Sequence, residues 1–142
     1  MGKIMWSRVV LGGLMAGVGL IVLAPVLTML FIGQQELQAA IQAFHPLQGG
    51  IYAPLCLAIT FFFLGILAVW WYAAIRSRFG PGWKTAIIAG FAVWLTANPA
   101  QSLLLARVAR LPIAFVLKST AIYLIIIIAS TVLGAWLYKE EA

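Results

Sequence analysis

Residues 51–75 read IYAPLCLAITFFFLGILAVWWYAAI, a stretch that contains no charged side chain. A helix crosses the roughly 30 Å hydrocarbon core of a bilayer with about 20 mostly apolar residues. Because backbone N–H and C=O groups find no water there, such a segment must pair them internally, as a helix does. The stretch therefore predicts a transmembrane helix.

The composition of the whole chain agrees with that prediction. Of the 142 residues, 65% are hydrophobic and 8% are charged, and the mean hydropathy is +1.10. A soluble domain has roughly 45–50% apolar and about 25% charged residues. The composition excludes a water-soluble domain and indicates an integral membrane protein that contacts the lipid bilayer.

Four stretches are long and apolar enough to span, at about 9–33, 51–75, 84–106 and 113–138. Lys3 and Arg8 precede the first one, as they would a signal peptide, but its apolar run exceeds the usual signal core of roughly 7–15 residues. We expect it to be retained as a helix. Short connections then predict an all-α fold, a single antiparallel bundle of four transmembrane helices.

Two connections carry their own signals. In the turn at 76–82, Gly80 and Gly82 tolerate a positive φ, which predicts a tight hairpin between the second and third spans. In the 34–50 connection, apolar residues recur at helical spacing among Gln and Glu, which predicts a short amphipathic helix on the membrane surface. The apolar positions are Leu37, Ala40, Ile41 and Phe44.

Basic residues predict the orientation. The net charge of +6 is interpreted as topology rather than as nucleic-acid binding, because no basic helix or single-strand platform is visible. With the N-terminus inside, six basic residues lie on the cytoplasmic side: Lys3, Arg8, Arg76, Arg78, Lys84 and Lys139. Three lie on the other side: Arg107, Arg110 and Lys118. We therefore expect both termini in the cytoplasm.

The inventory of reactive side chains is small. The chain has no Asp, its carboxylates are Glu36, Glu140 and Glu141, and it has one His (His45) and one Cys (Cys56). A zinc or iron site needs three or four converging ligands, and acid–base catalysis needs a positioned pair. We therefore expect a non-enzymatic protein without a metal site or cofactor of its own. His45 would contact a pigment or haem only within a larger assembly, and a loop residue is the expected role.

Small residues line two helix faces. Gly13 and Gly17 form a small-xxx-small pair. The last span has a comparable face, on which Ser119, Tyr123, Ser130 and Gly134 recur at steps of three or four. Such pairs allow close helix approach. We expect packing within the bundle, and docking of a partner subunit is the alternative.

The strongest candidate for a ligand site is the interruption of the third span at Asn98-Pro99. Asn98, Gln101 and Ser102 share a helix face, and Trp94 lies one turn earlier on it. Broken helices with polar side chains build binding sites in many membrane proteins. The alternative is that these side chains only satisfy the carbonyl freed by Pro99 and neighbouring helices.

Basic residues at span ends are candidates for contact with lipid headgroups or an acidic partner. They are Arg76, Arg78, Lys84, Arg107 and Arg110. The expected role of Arg107 and Arg110 is that of snorkelling anchors.

Residues 71–94, WYAAIRSRFGPGWKTAIIAGFAVW, resemble a hairpin of uncharacterised bacterial four-helix inner-membrane proteins. The shared feature is an Ala-Ile-Arg-x-Arg-Phe-Gly-Pro-Gly turn followed by a helix of small residues; elsewhere only hydropathy is shared. The resemblance implies this architecture and a bacterial cytoplasmic membrane, and it implies no reaction.

Two functions fit these patterns. The first is an accessory or assembly subunit of a larger membrane complex, one that carries pigments or electron carriers, with partner subunits or a homo-oligomer. The second is a binding or transport protein for an apolar or zwitterionic ligand at the Asn98 patch.

Overall fold

A computed structural model describes residues 4–44 and 50–138 of the chain. The described residues form helices and contain no strand. The helices are α1 (Trp6–Phe31), α2 (Gln34–Phe44), α3 (Tyr52–Phe79), α4 (Trp83–Ala97), α5 (Pro99–Ala109) and α6 (Ile113–Leu137). The predicted all-α class is confirmed, and α4 and α5 together form the third span.

The spans pack as an antiparallel ring in which each helix contacts its neighbours along the chain. α1 lies between α3 and α6, and α4 packs on α6 and on α3. One end of the bundle, the hairpin end, carries the start of α1, the turn at 80–82 and the end of α6. The opposite end, the α2 end, carries α2 and the α5–α6 turn. By length and composition, four helical segments qualify as membrane spans.

Two spans are longer than their apolar stretches. α3 continues through Arg76 and Arg78 to Phe79, and α5 carries the third span to Ala109. Cations are favourable near a helix C-terminus, and long basic side chains reach the interface along apolar stems. The basic residues Arg76 and Arg107 therefore end the apolar stretches but not the helices α3 and α5.

The hairpin between α3 and α4 depends on its two glycines. Gly80 and Gly82 adopt φ values of 80° and 140°, as the sequence predicts. The Thr85 hydroxyl donates to the Gly80 carbonyl at 2.7 Å, and the Gly82 N–H donates to the Tyr72 hydroxyl at 3.3 Å. The turn is thus held from both helices.

Glycines bring α1 and α3 into backbone contact near the hairpin end. A Cβ on Gly13 would lie 2.5 Å from Ile66 Cα, and one on Gly17 would lie 2.9 Å from Phe62 Cα. The buried core here consists mostly of small residues with two tyrosines, Tyr72 and Tyr138. Beyond Gly17 this glycine contact ends, and space opens between the same two helices.

Candidate functional site

A cavity of about 390 Å³ occupies the half of the bundle nearer the α2 end. We call it the α2-end cavity. Leu20, Phe61 and Ile127 are buried and close it towards the hairpin end. Leu37 and Ile41 of α2 line it on the opposite side. The predicted amphipathic helix is therefore confirmed, and it covers the cavity.

Some of the side chains that line this mostly apolar wall are polar but uncharged. They are Thr28, Thr60, Asn98, Gln101, Ser102, Ser119 and Tyr123. Thr60 and Ser119 donate to carbonyls of their own helices, at 2.8 Å to Cys56 and 2.9 Å to Phe115. Backbone acceptors one turn away therefore satisfy these two hydroxyls.

Other polar groups of the wall have no such acceptor. Within 4–44 and 50–138, no hydrogen-bond partner is present for the side chains of Thr28, Gln101 and Tyr123. The Ser102 hydroxyl donates to Asn98 Oδ1 at 3.2 Å, which leaves the Asn98 amide N–H groups available. The cavity thus offers donors and acceptors without a formal charge.

The helix interruption brings three of the four predicted ligand-site residues together. Asn98 keeps a helical backbone, with its N–H bonded to Trp94 O at 2.9 Å and its carbonyl bonded to Ser102 N at 2.9 Å. Pro99 begins α5, where a missing N–H costs least. Asn98, Gln101 and Ser102 all line the α2-end cavity.

Trp94, the fourth predicted residue, lies outside the described cavity lining. Its indole N–H donates to the Thr120 carbonyl at 3.0 Å, and its ring centroid is 5.7 Å from that of Phe91. The indole N–H thus bridges α4 to α6. Helical spacing alone assigned Trp94 to the same face as Asn98, and this inter-helix hydrogen bond was not visible in the sequence.

The predicted basic contacts divide between the two ends. Arg107 and Arg110 are exposed at the α2 end and do not line the cavity, where Leu105 and Leu111 take part instead. At the hairpin end Arg78 and Lys84 are exposed, whereas Arg76 is half-buried with its guanidinium 5.7 Å from the Tyr138 ring centroid. The candidate ligand site therefore has no cation from these residues in its wall.

The predicted small-residue faces pack within the chain. Gly13 and Gly17 contact α3, a Cβ on Gly134 would lie 2.6 Å from the Gly12 carbonyl oxygen, and Ser130 is 1% exposed against Gly19. The four predicted residues, Gly13, Gly17, Ser130 and Gly134, do not line the α2-end cavity.

Two cavity residues were singled out from sequence only as a packing face. Ser119 and Tyr123 precede Ser130 and Gly134 on one side of α6, and the structure divides this face between the cavity and α1. Thr28 was missed, although a hydroxyl one turn after Pro25 within an apolar span was a signal for it.

A second space of about 740 Å³ adjoins the α2-end cavity. Ile21, Pro25 and Met29 of α1 line one side, and Pro54 and Ala58 of α3 line the other. We call it the α1–α3 crevice. Thr28, Leu57 and Tyr123 are among the residues that line both spaces.

Metal binding has no support in the described ranges, where no group of three His, Cys, Asp or Glu side chains is close enough to hold an ion. His45 lies outside the described residues, as do Lys3 and Lys139. No known protein family, curated protein or solved structure matches this chain.

Proposed function

We propose that this membrane protein binds an uncharged, mostly apolar small molecule in the α2-end cavity. The observation that carries the proposal is the cavity wall itself, an apolar lining with hydrogen-bonding groups that lack protein partners. Ligand sites are concave, measure roughly 300–1,000 Å³ and combine an apolar lining with a few polar groups. The volume of about 390 Å³ falls within that range.

The cost of unpaired polar groups supports a ligand over a cavity that only results from packing. A hydroxyl or amide taken out of water without a hydrogen bond costs on the order of 1–3 kcal/mol. Gln101 is exposed, so this cost applies chiefly to the half-buried Tyr123, where phenylalanine would avoid it in a purely structural role. A ligand with its own hydroxyl or carbonyl, or ordered water, satisfies these groups.

The charge of the wall selects among ligands. Every residue that lines the α2-end cavity is uncharged, and Arg107 and Arg110 are exposed outside it. A charged group without a partner is costly to bury. Of the two ligand classes expected from the sequence, the uncharged apolar one is therefore favoured over the zwitterionic one.

The proposal is tested with protein purified from its own membrane in mild detergent. Compounds that copurify are extracted and identified by mass spectrometry for the unmodified chain, for Tyr123→Phe and for Tyr52→Phe. Tyr52 is exposed and lines neither space, so it is the matched control. Since a hydrogen bond contributes about 1 kcal/mol, we expect affinity to fall roughly fivefold in Tyr123→Phe alone.

Asn98→Leu separates a site from packing. Loss of the copurifying compound with an intact fold supports the proposal. Higher stability with unchanged extracts from every variant would contradict it.

The other expected role, an accessory or assembly subunit, stays a prediction. Its positive signal was the small-residue faces, and packing within the bundle accounts for them. A pull-down with an absorption spectrum of the eluate tests it. Stoichiometric partners or a chromophore would support it, and a colourless, partnerless chain would exclude it.

The proposed setting is the bacterial cytoplasmic membrane with both termini in the cytoplasm. The resemblance of the 71–94 hairpin and the excess of basic residues at the hairpin end support it.

A further inference from the structure

The α2-end cavity and the α1–α3 crevice differ in polarity. Asn98, Gln101, Ser102 and Ser119 line only the cavity, on the α5–α6 side. Apart from Thr28 and Tyr123, which both spaces share, the crevice wall is apolar. The two adjoining spaces share lining residues such as Thr28 and Tyr123, so a polar wall inside the bundle lies next to an apolar one between α1 and α3.

The apolar end faces outward from the bundle at membrane depth. Met29 is 69% exposed and Leu57 is 55% exposed, and both line the crevice. Lipid surrounds the bundle on this side, because α1 and α3 are apolar spans. A molecule dissolved in the bilayer thus meets the crevice directly.

The helix α2 lies over one side of both spaces. Leu37 and Ile41 of α2 line both spaces, while Gln34, Gln35 and Gln38 of the same helix are exposed. Lys118 Nζ of α6 lies 2.9 Å from Glu36 Oε1, which connects α2 to the far side of the cavity. The side of the crevice that α2 does not cover lies between α1 and α3, two apolar spans.

From these observations, and resting on the function proposed above, we infer that the ligand is a chain-bearing amphiphile with an uncharged head, such as a long-chain or isoprenoid alcohol. It enters sideways through the α1–α3 crevice. Its head hydrogen bonds with Tyr123 and the Asn98 side chain, and its chain lies in the crevice between Pro25 and Ala58.

The test uses photo-crosslinking of the full chain in lipid nanodiscs. Two long-chain primary alcohols carry a diazirine, one beside the hydroxyl and one beside the terminal methyl. We expect the first to label α5 and α6 around Ser102 and Ser119, and the second to label 21–29 and 54–58. An excess of unlabelled alcohol should suppress both.

Ala58→Trp tests the route. Ala58 lines the crevice and not the cavity, so the larger side chain fills only the apolar end. Ala114→Trp is the control, because Ala114 is exposed on α6 at the α2 end and lines neither space. We expect labelling by both chain probes to fall about tenfold in Ala58→Trp, a change worth about 1.4 kcal/mol, and to stay unchanged in Ala114→Trp.

A short alcohol with a diazirine distinguishes failure of the inference from failure of the proposed function. One outcome is that the short alcohol labels the cavity saturably, while labelling of the crevice by the chain probes is the same in Tyr123→Phe as in the unmodified chain and is not reduced by unlabelled alcohol. Bulk lipid then fills the crevice. The inference is then overturned and the proposed function stands. If no probe labels the cavity saturably, both are overturned.

Discussion

At the residue scale, Arg110 has a backbone role that its charge does not suggest. It ends α5 in the left-handed conformation, with φ 53° and ψ 39°, and the Leu111 N–H donates to the Ala106 carbonyl at 3.0 Å. Among the described non-glycine residues it alone has a positive φ. This conformation directs the chain into Pro112 and α6, so the predicted anchor also forms the turn.

Arg110→Gly should therefore stabilise the protein. The left-handed region costs a non-glycine residue roughly 1–2 kcal/mol, which glycine avoids. The greater freedom of glycine in the unfolded chain reduces this gain in stability by about 0.4–1 kcal/mol. We expect a net gain of roughly 0.5–1 kcal/mol, measured as a higher Tm in detergent. Arg107→Gly, inside α5, is the matched control and should lower stability by about 1 kcal/mol. A shift of both variants in the same direction would assign the effect to charge instead.

At the element scale, the approach of α1 to α3 determines where the bundle is closed and where it is open. Gly13 and Gly17 of α1 contact α3, and Gly65 of α3 packs against these two glycines. Further along the same two helices, Ile21 and Pro25 face the crevice instead. Close contact along the whole length of α1 and α3 would require residues as small as glycine throughout their interface.

Gly65→Ala tests this α1–α3 contact. A Cβ there would contact the Gly13 carbonyl oxygen and lie 2.6 Å from Gly17 N, so the backbones would have to separate. We expect a loss of about 1–3 kcal/mol, the usual cost of overpacking, measured by thermal unfolding. Gly33→Ala is the control, because a Cβ at Gly33 has no atom within 4 Å. Equal stability of the two variants would rule out a tight α1–α3 contact.

The position of α2 depends in part on an ion pair. Glu36 and Lys118 are 43% and 52% exposed, so the pair contributes only about 0.2–1 kcal/mol and weakens with salt. Lys118→Glu should speed hydrogen exchange in 34–44, and adding Glu36→Lys should restore it. Gln38→Lys, on an exposed position of α2, should leave exchange unchanged. Failure of the double variant to recover would mean that apolar contacts alone hold α2.

At the scale of the whole molecule, charge distinguishes the two ends of the bundle. Arg8, Arg76, Arg78 and Lys84 lie at the hairpin end. Arg107, Arg110 and Lys118 lie at the other end, where Lys118 is paired with Glu36. Positively charged loops are retained in the cytoplasm during insertion. We therefore expect the α2 end, with the cavity and its cover, to be the external one.

This orientation is tested with single cysteines in a Cys56→Ala background. Ser77→Cys at the hairpin end and Gln38→Cys on α2 both replace exposed residues. We expect an impermeant thiol reagent to label Gln38→Cys in intact cells, and Ser77→Cys only after permeabilisation. The reverse pattern would place the hairpin end outside.

The sequence by itself determined the class, the number of spans, the glycine hairpin and the amphipathic α2. Apolar length and the need to pair every backbone group in lipid leave helices as the solution, and positive φ values require glycine at 80 and 82. It also indicated the Asn98 patch, because polar side chains are rare at this depth.

Only the tertiary structure decided which helix faces meet each other and which enclose a space. Lipid and protein core are equally apolar, so hydropathy does not separate a face packed on a neighbour from a face in the bilayer. Helical spacing therefore placed Trp94 on one face with Asn98, whereas the Trp94 indole hydrogen bonds with α6. It likewise placed Tyr123 on one face with Ser130, whereas Tyr123 lines the cavity. The cavity itself depends on where α1 and α3 contact and where the space between them opens, which is a relation between helices and not a property of either one.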